Sequence, residues 1–431
     1  MNIILLSGGS GERLWPLSNN IRSKQFIKLF KDGDKHESML QRVYHQIKKI
    51  DKDASVTIAT SKTQVPAIKN QLEDNVSLCV EPIRRDTFPA IALASLYLHD
   101  VLKVKENEPV VVCPVDPYVN DSYFESIKDL SKIVDKANLS LMGIEPTYPS
   151  EKYGYIIPNS KDKLSSVKEF KEKPDRATAE KYLQQGAVWN AGIFAFKLSY
   201  MLEKSEELLN CYSYQQLYDN YDKAPKISYD YAVAEKEDSI NVLRYKGEWR
   251  DVGTWNMMSE VMSDKVLGKA TLDKATTNTN VINELDIPIL VMGAHNMVVA
   301  ASNDGILVSD KEQSGYMKPY VQKIATEARY ADKSWGSFKI INAESTNLTA
   351  KLVIKADHSL SYHSHKYREE ILTVLDGNGI LTINGEQSTI KTGDVIKIKP
   401  EVKHKIYATN QLTLLETQIG SEISSRDKIV Y

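Results

Sequence analysis

Up to about residue 265 the chain alternates short apolar runs with longer stretches whose apolar positions recur at helical spacing. The runs predict strands at Asn2–Leu6, Val56–Thr60, Leu78–Val80 and Pro109–Cys113. The stretches between them predict helices at Glu37–Lys49, Val65–Leu72 and Pro89–Val101. In the first of these, Met39, Leu40, Val43 and Ile47 make one apolar face. The valines of Pro109–Cys113 show no polar alternation, which suits a strand covered on both faces. Strands and helices taken in turn predict a doubly wound α/β sheet.

Beyond about residue 270 the pattern changes. Val281-Ile282, Ile287–Met292, Asn296–Ala301 and Gly305–Val308 are strand-like runs broken by Asp, Asn and Gly, which predicts a small all-β module. From Lys333 onward strands dominate: Phe338–Ile341, Leu348–Ile354, Ile371–Leu375, Gly379–Ile383, Val395–Ile398 and Lys405–Ala408. Asp376-Gly377 and Asn384-Gly385 mark hairpin turns, and the whole predicts an antiparallel sandwich or barrel. The expected domains are residues 1–268, 269–328 and 329–431, in keeping with 431 residues at ~100–200 per domain.

Composition narrows the chemistry. The net charge is −2, from 55 Lys+Arg against 57 Asp+Glu, so no global basic field gathers nucleic acid or anionic lipid. Any anionic substrate must be met by a few local cations. Cys79, Cys113 and Cys211 are odd in number and form no C-x-x-C pair, so a reducing compartment is expected and a disulfide framework is not. The amino-terminal run lacks the basic and apolar regions of a signal peptide, and no run approaches the ~18–20 apolar residues of a membrane helix. A cytoplasmic protein is expected.

The first strand runs into Ser7-Gly8-Gly9-Ser10-Gly11-Glu12-Arg13-Leu14-Trp15-Pro16. Glycines directly after a strand let backbone N–H groups approach phosphate oxygens. The spacing is neither a dinucleotide fingerprint, because Leu14 sits where a glycine is needed, nor a Walker A loop. Arg13 behind the glycines and Lys24-Gln25-Phe26 further on add two cations to the backbone nest, making a triphosphate-sized site.

The string GGSGERLWPLSNNIRSKQF closely resembles the signature of sugar-1-phosphate nucleotidylyltransferases, in particular the long bacterial mannose-1-phosphate guanylyltransferases. It departs only in Ser23, where the family has proline before the lysine. Glu81-Pro82-Ile83-Arg84-Arg85-Asp86-Thr87-Phe88-Pro89-Ala90 is similar to a second family block, with Asp86 for the usual Asn. The resemblance implies nucleotide contacts from Gly8, Gly9, Ser10, Gly11, Glu12, Arg13, Lys24, Glu81, Arg85 and Thr87. The Glu81 carboxylate either accepts from N1–H and N2–H of guanine or braces the turn before the helix; both readings stay open.

Cys113-Pro114-Val115-Asp116-Pro117-Tyr118 occupies the place of a family Asp block, with Val115 for Ala and Pro117 for His. Trp249-Arg250-Asp251-Val252-Gly253-Thr254-Trp255 resembles another. A lone Asp at a strand end can simply cap a turn. With both blocks present, the resemblance implies that Asp116 and Asp251 bind one Mg²⁺ bridging the nucleotide and the sugar phosphate, a donor set that suits this ion. Further blocks around Gly154, Glu172, Lys173, Asn190 and Asp230 resemble the family's sugar site, with Lys173 for the phosphate. The activity implied is in-line attack of α-D-mannose 1-phosphate on the α-phosphorus of GTP, with catalysis carried by Arg13, Lys24, Lys173, Asp116 and Asp251.

Four of the eight histidines fall between His358 and His404. His363-Ser364-His365 followed by Glu370 and Gly377 fits the first cupin motif, and Gly393 through His404 resembles the second, with Pro400 displaced by one and Glu401 in place of glycine. Alternate strand residues share a face, so His363 and His365 with Glu370 and His404 would form a site for Zn²⁺, Mn²⁺ or Fe²⁺. The resemblance therefore implies a Rossmann-like nucleotidyltransferase with a doubly wound mixed sheet, a small all-β module and a C-terminal cupin β-barrel similar to phosphomannose isomerase. The barrel would carry a mannose-6-phosphate isomerase activity or serve assembly or sugar sensing. A homodimer is expected, with GTP and a sugar 1-phosphate as partners and neither nucleic acid nor membrane. Two alternatives remain: a guanylyltransferase for another sugar (fucose or manno-heptose), and a sugar-nucleotide-binding regulator without turnover.

Overall fold

The computed structural model describes residues 1–9, 12–19, 21–73, 75–324 and 328–431, with the backbone alone for Glu12 and Ser425. It divides into two compact units, Met1–Ser10 with Lys24–Ser263, and Gly11–Ser23 with Asp264–Tyr431.

The first unit is built on a nine-stranded sheet. From one edge its strands are Ser77–Glu81, Ser55–Ser61, Asn2–Leu6, Pro109–Pro114, Val188–Lys197, Leu139–Ile144, Ile240–Tyr245, Leu164–Lys171 and Tyr155–Pro158. The first four run parallel. Val188–Lys197 runs antiparallel to both its neighbours, so the sheet is mixed. Helix Met39–Ile50 packs with Val65–Leu72 and Asp121–Ser131, while Thr87–Asp100 packs with Leu198–Leu209, Tyr214–Asp219 and Tyr229–Ala232. The first helix begins later than its apolar pattern alone predicts. Glu37 and Ser38 belong to strand Lys35–Ser38, and Ser38 closes a reciprocal cap with Gln41, whose N–H it accepts at 3.2 Å.

Register sets the place of the site. Leu6 lies opposite both Ala59 and Pro114, and Ser61 opposite Glu81. The carboxyl ends of the four parallel strands therefore lie within two residues of one another, and Asn2–Leu6 and Pro109–Pro114 flank the point where strand order reverses. Open α/β sheets bind ligands in such a crevice.

The second unit is entirely β apart from short helices. Val266–Leu267, Asn280–Asn283, Met297–Ser302 and Gly305–Asp310 form one sheet, and Ala270–Leu272 with Ile289–Val291 another. Its barrel is a pair of sheets. Six strands are Tyr330–Lys333, Gly336–Ala343, Asn347–Ile354, Leu412–Gly420, Arg368–Asp376 and Val395–Ile398. Five are Glu386–Lys391, Asn378–Ile383, His404–Ala408, His363–His365 and Lys428–Val430. Leu352, Leu372 and Leu414 of the first meet Leu381, Ile390 and Ile406 of the second in one core. The β segment and the barrel, which the sequence separates at residue 328, share this unit with Gly11–Ser23.

Candidate active site

Two cavities lie at the carboxyl ends of the first unit's strands. The larger, about 380 Å³, is walled by Ser7, Gly8 and Gly9 after the first strand, by Lys24 and Gln25, by Glu81, Arg84, Asp86 and Thr87, by Val115 and Asp116, and by Lys226. Its walls are held from behind. The Gln25 amide donates to the Ser7 carbonyl and hydroxyl at 3.2 Å, fixing the turn that presents Lys24, and Ser23 in the proline's place is fully buried. The Thr87 hydroxyl accepts the Tyr229 N–H at 2.8 Å. Asp86 has φ +72°, a backbone conformation that side chains rarely adopt, and its carboxylate accepts the Thr87 N–H at 2.8 Å where the helix begins.

Glu81 is buried, and the Tyr221 hydroxyl donates to its Oε2 at 2.8 Å. Burial pushes its carboxyl up to about 7, against the opposing pull of Tyr221 and Arg84. Among the expected nucleotide contacts, Gly8, Gly9, Lys24, Glu81 and Thr87 line this cavity. Arg84 lines it rather than Arg85, whose guanidinium donates to the Asp222 carbonyl. Ser10 and Gly11 lie outside the described residues, as does the Glu12 side chain. Arg13 is exposed, in the short turn Glu12–Leu14 that belongs to the second unit.

The second cavity, about 220 Å³, shares Pro114 and Asp116 with the first. Asp251 also lines it, with Gly154, Glu172, Asn190, Asp230, Lys152, Tyr153 and Trp249. A two-stranded ribbon brings the two aspartates to one wall: Trp249–Asp251 pairs with Pro117–Val119, and Asp251 falls directly opposite Pro117. Pro117, in place of the family's histidine, is the first residue of its strand, where a missing N–H is tolerated. Gly154 sits in a crowded wall, where a Cβ would lie 2.5 Å from Glu172 Oε2 and 3.1 Å from the Phe170 ring. The Asn190 amide donates to Asp230 at 2.7 Å, and its oxygen accepts the Gly192 N–H at 3.1 Å across a break in strand register. Burial, then the adjacent Glu172, pushes the Asp230 carboxyl up to about 7. Lys173 stands outside this wall, paired with Glu172 at 2.7 Å.

The Lys24 ammonium sits 3.0 Å from Asp116 Oδ2. A cation thus already rests on a half-exposed carboxylate, and hard oxygen donors of this kind, with Asp251 on the same wall, fit a divalent metal.

In the barrel, His363, His365, Glu370 and His404 are all buried, with ligand atoms within 4.8 Å of one another. His363 lies opposite His404 in the five-stranded sheet, and Glu370 reaches in from the other sheet. Each imidazole turns Nδ1 to a backbone carbonyl: Ser361 at 2.7 Å, Asp427 at 3.2 Å and Val402 at 3.1 Å. A carbonyl accepts only, so Nδ1 carries a proton and each Nε2 points inward. Two of them face Glu370, His365 at 2.8 Å and His404 at 3.0 Å. Three inward-facing imidazole nitrogens and one carboxylate make a donor set that fits a divalent metal. Burial pushes His363 down to about 3, keeping it neutral as a ligand must be. The cluster opens on a cavity of about 590 Å³ that also holds Arg368, Lys405, Glu416 and Lys428.

Glu401, the departure from the second cupin motif, has φ +68°. This is the conformation the motif's glycine adopts without strain. Glu401→Gly is expected to raise stability by about 0.5–1 kcal/mol, seen as a higher urea midpoint at constant slope.

Residues 2–266 match the nucleotidyl transferase family, and the chain belongs to it. Residues 351–416 match the cupin domain family. Among curated relatives, the mannose-1-phosphate guanylyltransferase of Salmonella montevideo is 27% identical over 98% of this chain and 97% of its own length. The xanthan biosynthesis protein XanB of Xanthomonas campestris is 28% identical over 98% of this chain and 96% of its own. Among solved structures, the mannose-1-phosphate geranyltransferase of Thermus thermophilus is 28% identical, with a TM-score of 0.63 over 75% of this chain and 98% of that one.

The motifs left several wall residues unannounced. Arg84 stands inside a recognised block, but spacing does not say which of two successive arginines faces inward. Lys226 and Lys152 arrive through the fold, as does Tyr221 behind Glu81, and no local pattern marks them.

Proposed function

We propose that the chain is a GTP:α-D-mannose-1-phosphate guanylyltransferase that makes GDP-mannose and pyrophosphate, a precursor step for mannose-containing polysaccharide. The observation that carries it is the meeting of two cavities at Asp116, with Asp251 on the wall of the smaller. GTP would lie along Gly8, Gly9, Lys24, Glu81 and Thr87, and the sugar would lie among Gly154, Glu172, Asn190 and Asp230. An oxygen of the sugar phosphate attacks the α-phosphorus, a P–O bond forms, and the bond to the bridging oxygen of the β-phosphate breaks to release pyrophosphate. A phosphate monoester is already a nucleophile at pH 7, so the protein supplies alignment and charge rather than a general base. Asp116 and Asp251 would hold Mg²⁺, which supplies charge neutralisation on the phosphate oxygens. Arg13, Lys24 and Lys173 would supply the remaining positive charge.

Glu81 would read guanine. As a carboxylate it accepts both N1–H and N2–H; as a neutral acid it cannot accept both as strongly. Its pKa of about 7 therefore makes the KM for GTP fall, by up to about tenfold, as pH rises from 6 to 8, and Glu81→Gln flattens the profile. Stability runs the other way. The folded chain keeps this proton up to about 7 while the unfolded chain releases it near 4.5, so stability declines as pH rises through that window.

The test is pyrophosphate release with GTP, ATP, CTP or UTP crossed with the 1-phosphates of mannose, fucose and manno-heptose. Fastest release with GTP and mannose 1-phosphate supports the proposal; a preference for another pair assigns a different substrate. A second reading, isomerisation of mannose 6-phosphate in the barrel, is favoured by the three cations Arg368, Lys405 and Lys428 that share the histidine cavity. Formation of fructose 6-phosphate by the full chain tests it.

A further inference from the structure

Holding a glycine-rich segment in place costs about 1–2 kcal/mol of conformational entropy per ordered backbone residue. The segment that follows Arg13 is fastened at several points, all within the second unit. The Trp15 ring lies against Gly305, where a Cβ would come within 2.4 Å of it. The Ser302 hydroxyl donates to the Pro16 carbonyl at 2.6 Å. The Asn19 amide donates to Asp304 Oδ2 at 2.6 Å. The same Asn19 accepts the Ile21 and Arg22 N–H groups at 2.8 and 2.7 Å, which orients Arg22. The Arg22 guanidinium then grips both oxygens of Glu284 at 2.7 and 2.8 Å, and lies over the Tyr330 ring.

The barrel's first strand shares these anchors. Asp304 Oδ1 accepts the Arg329 N–H at 2.7 Å, and Tyr330 is the ring beneath Arg22. Glu284 is about one-third exposed, so its pair with Arg22 adds little to global stability, whereas its forked geometry fixes direction closely.

We propose that Glu284 and Asp304 are positioning residues for guanylyl transfer: they hold the segment that follows Arg13 and so set where its guanidinium stands, coupling that segment to the first strand of the barrel. The proposal rests on the transferase reading. Neither residue belongs to any catalytic motif, and neither would touch substrate.

The test uses the full chain with Glu284→Gln, Asp304→Asn and the double variant. Loosening the segment is expected to lower kcat for pyrophosphate release about tenfold or more, with KM for the sugar 1-phosphate within about twofold. Trypsin cleavage after Arg13 and Arg22 should speed up several-fold, while the melting midpoint stays within about 2 °C. Unchanged kcat in the double variant overturns the proposal, whatever trypsin reports. Lowered kcat with unchanged cleavage overturns it as well, because the segment was then not loosened. A wild-type chain that releases no pyrophosphate overturns the transferase reading itself, a result distinct from either.

Discussion

Asp116→Asn should reduce kcat for guanylyl transfer by about 10³-fold or more while leaving the melting midpoint nearly unchanged. The carboxylate stands at the junction of the two cavities, and its side chain is 45% exposed, so an isosteric amide fills the same space without opening the core. What is lost is one of the two negative charges that would hold a divalent cation, which would supply charge neutralisation to the phosphates. Asp251→Asn should act to the same extent. Because both would serve one ion, the double variant should be little slower than either single one. Rates that multiply would separate the two carboxylates into independent roles.

His404→Ala in the full chain should lower the barrel's affinity for a divalent metal by about 100-fold or more, measured by titration after chelation. Three imidazoles with their Nδ1 protons committed to backbone carbonyls have only Nε2 left to offer, and Glu370 closes the set from the opposite sheet. His358, with its own Nδ1 against the Ala356 carbonyl and outside the cluster, is the control: His358→Ala should bind metal as the wild type does. Equal affinity in the His404 variant would remove the metal from the barrel.

Elements with a clear period were legible in the sequence. Val65–Leu72 and Val395–Ile398 appear with the bounds their patterns predict, and the valine run of Pro109–Cys113 is a central strand extended by one residue. Boundaries moved where side chains compete for backbone groups, as at Ser38, which ends a strand and caps a helix at once. Strands such as Leu412–Gly420, whose apolar alternation fades after Leu415, escaped because half-exposed strands carry little pattern.

The candidate site was legible as separate motifs but not as a place. Sequence put Gly8, Lys24, Glu81 and Asp116 far apart; parallel register and the switch in strand order put them on one wall. The meeting of His363, His365, Glu370 and His404 was legible in part from strand direction, which gives His363 and His365 a common face, and in part from the cupin-like spacing that singled out Glu370 and His404. What spacing cannot express is the inward choice of Arg84 over Arg85, or the fastening of residues near Arg13 by Glu284 and Asp304, which stand more than 250 residues away in the chain.

The central claim is that this chain joins a sugar phosphate to the α-phosphorus of GTP. A ³¹P NMR time course of the full chain with GTP, Mg²⁺ and α-D-mannose 1-phosphate tests it most directly. The GTP and sugar-phosphate signals should decline together and be replaced by those of GDP-mannose and pyrophosphate in equal amounts. Persistence of both substrates, or conversion of GTP to GMP or GDP with the sugar phosphate untouched, would contradict it.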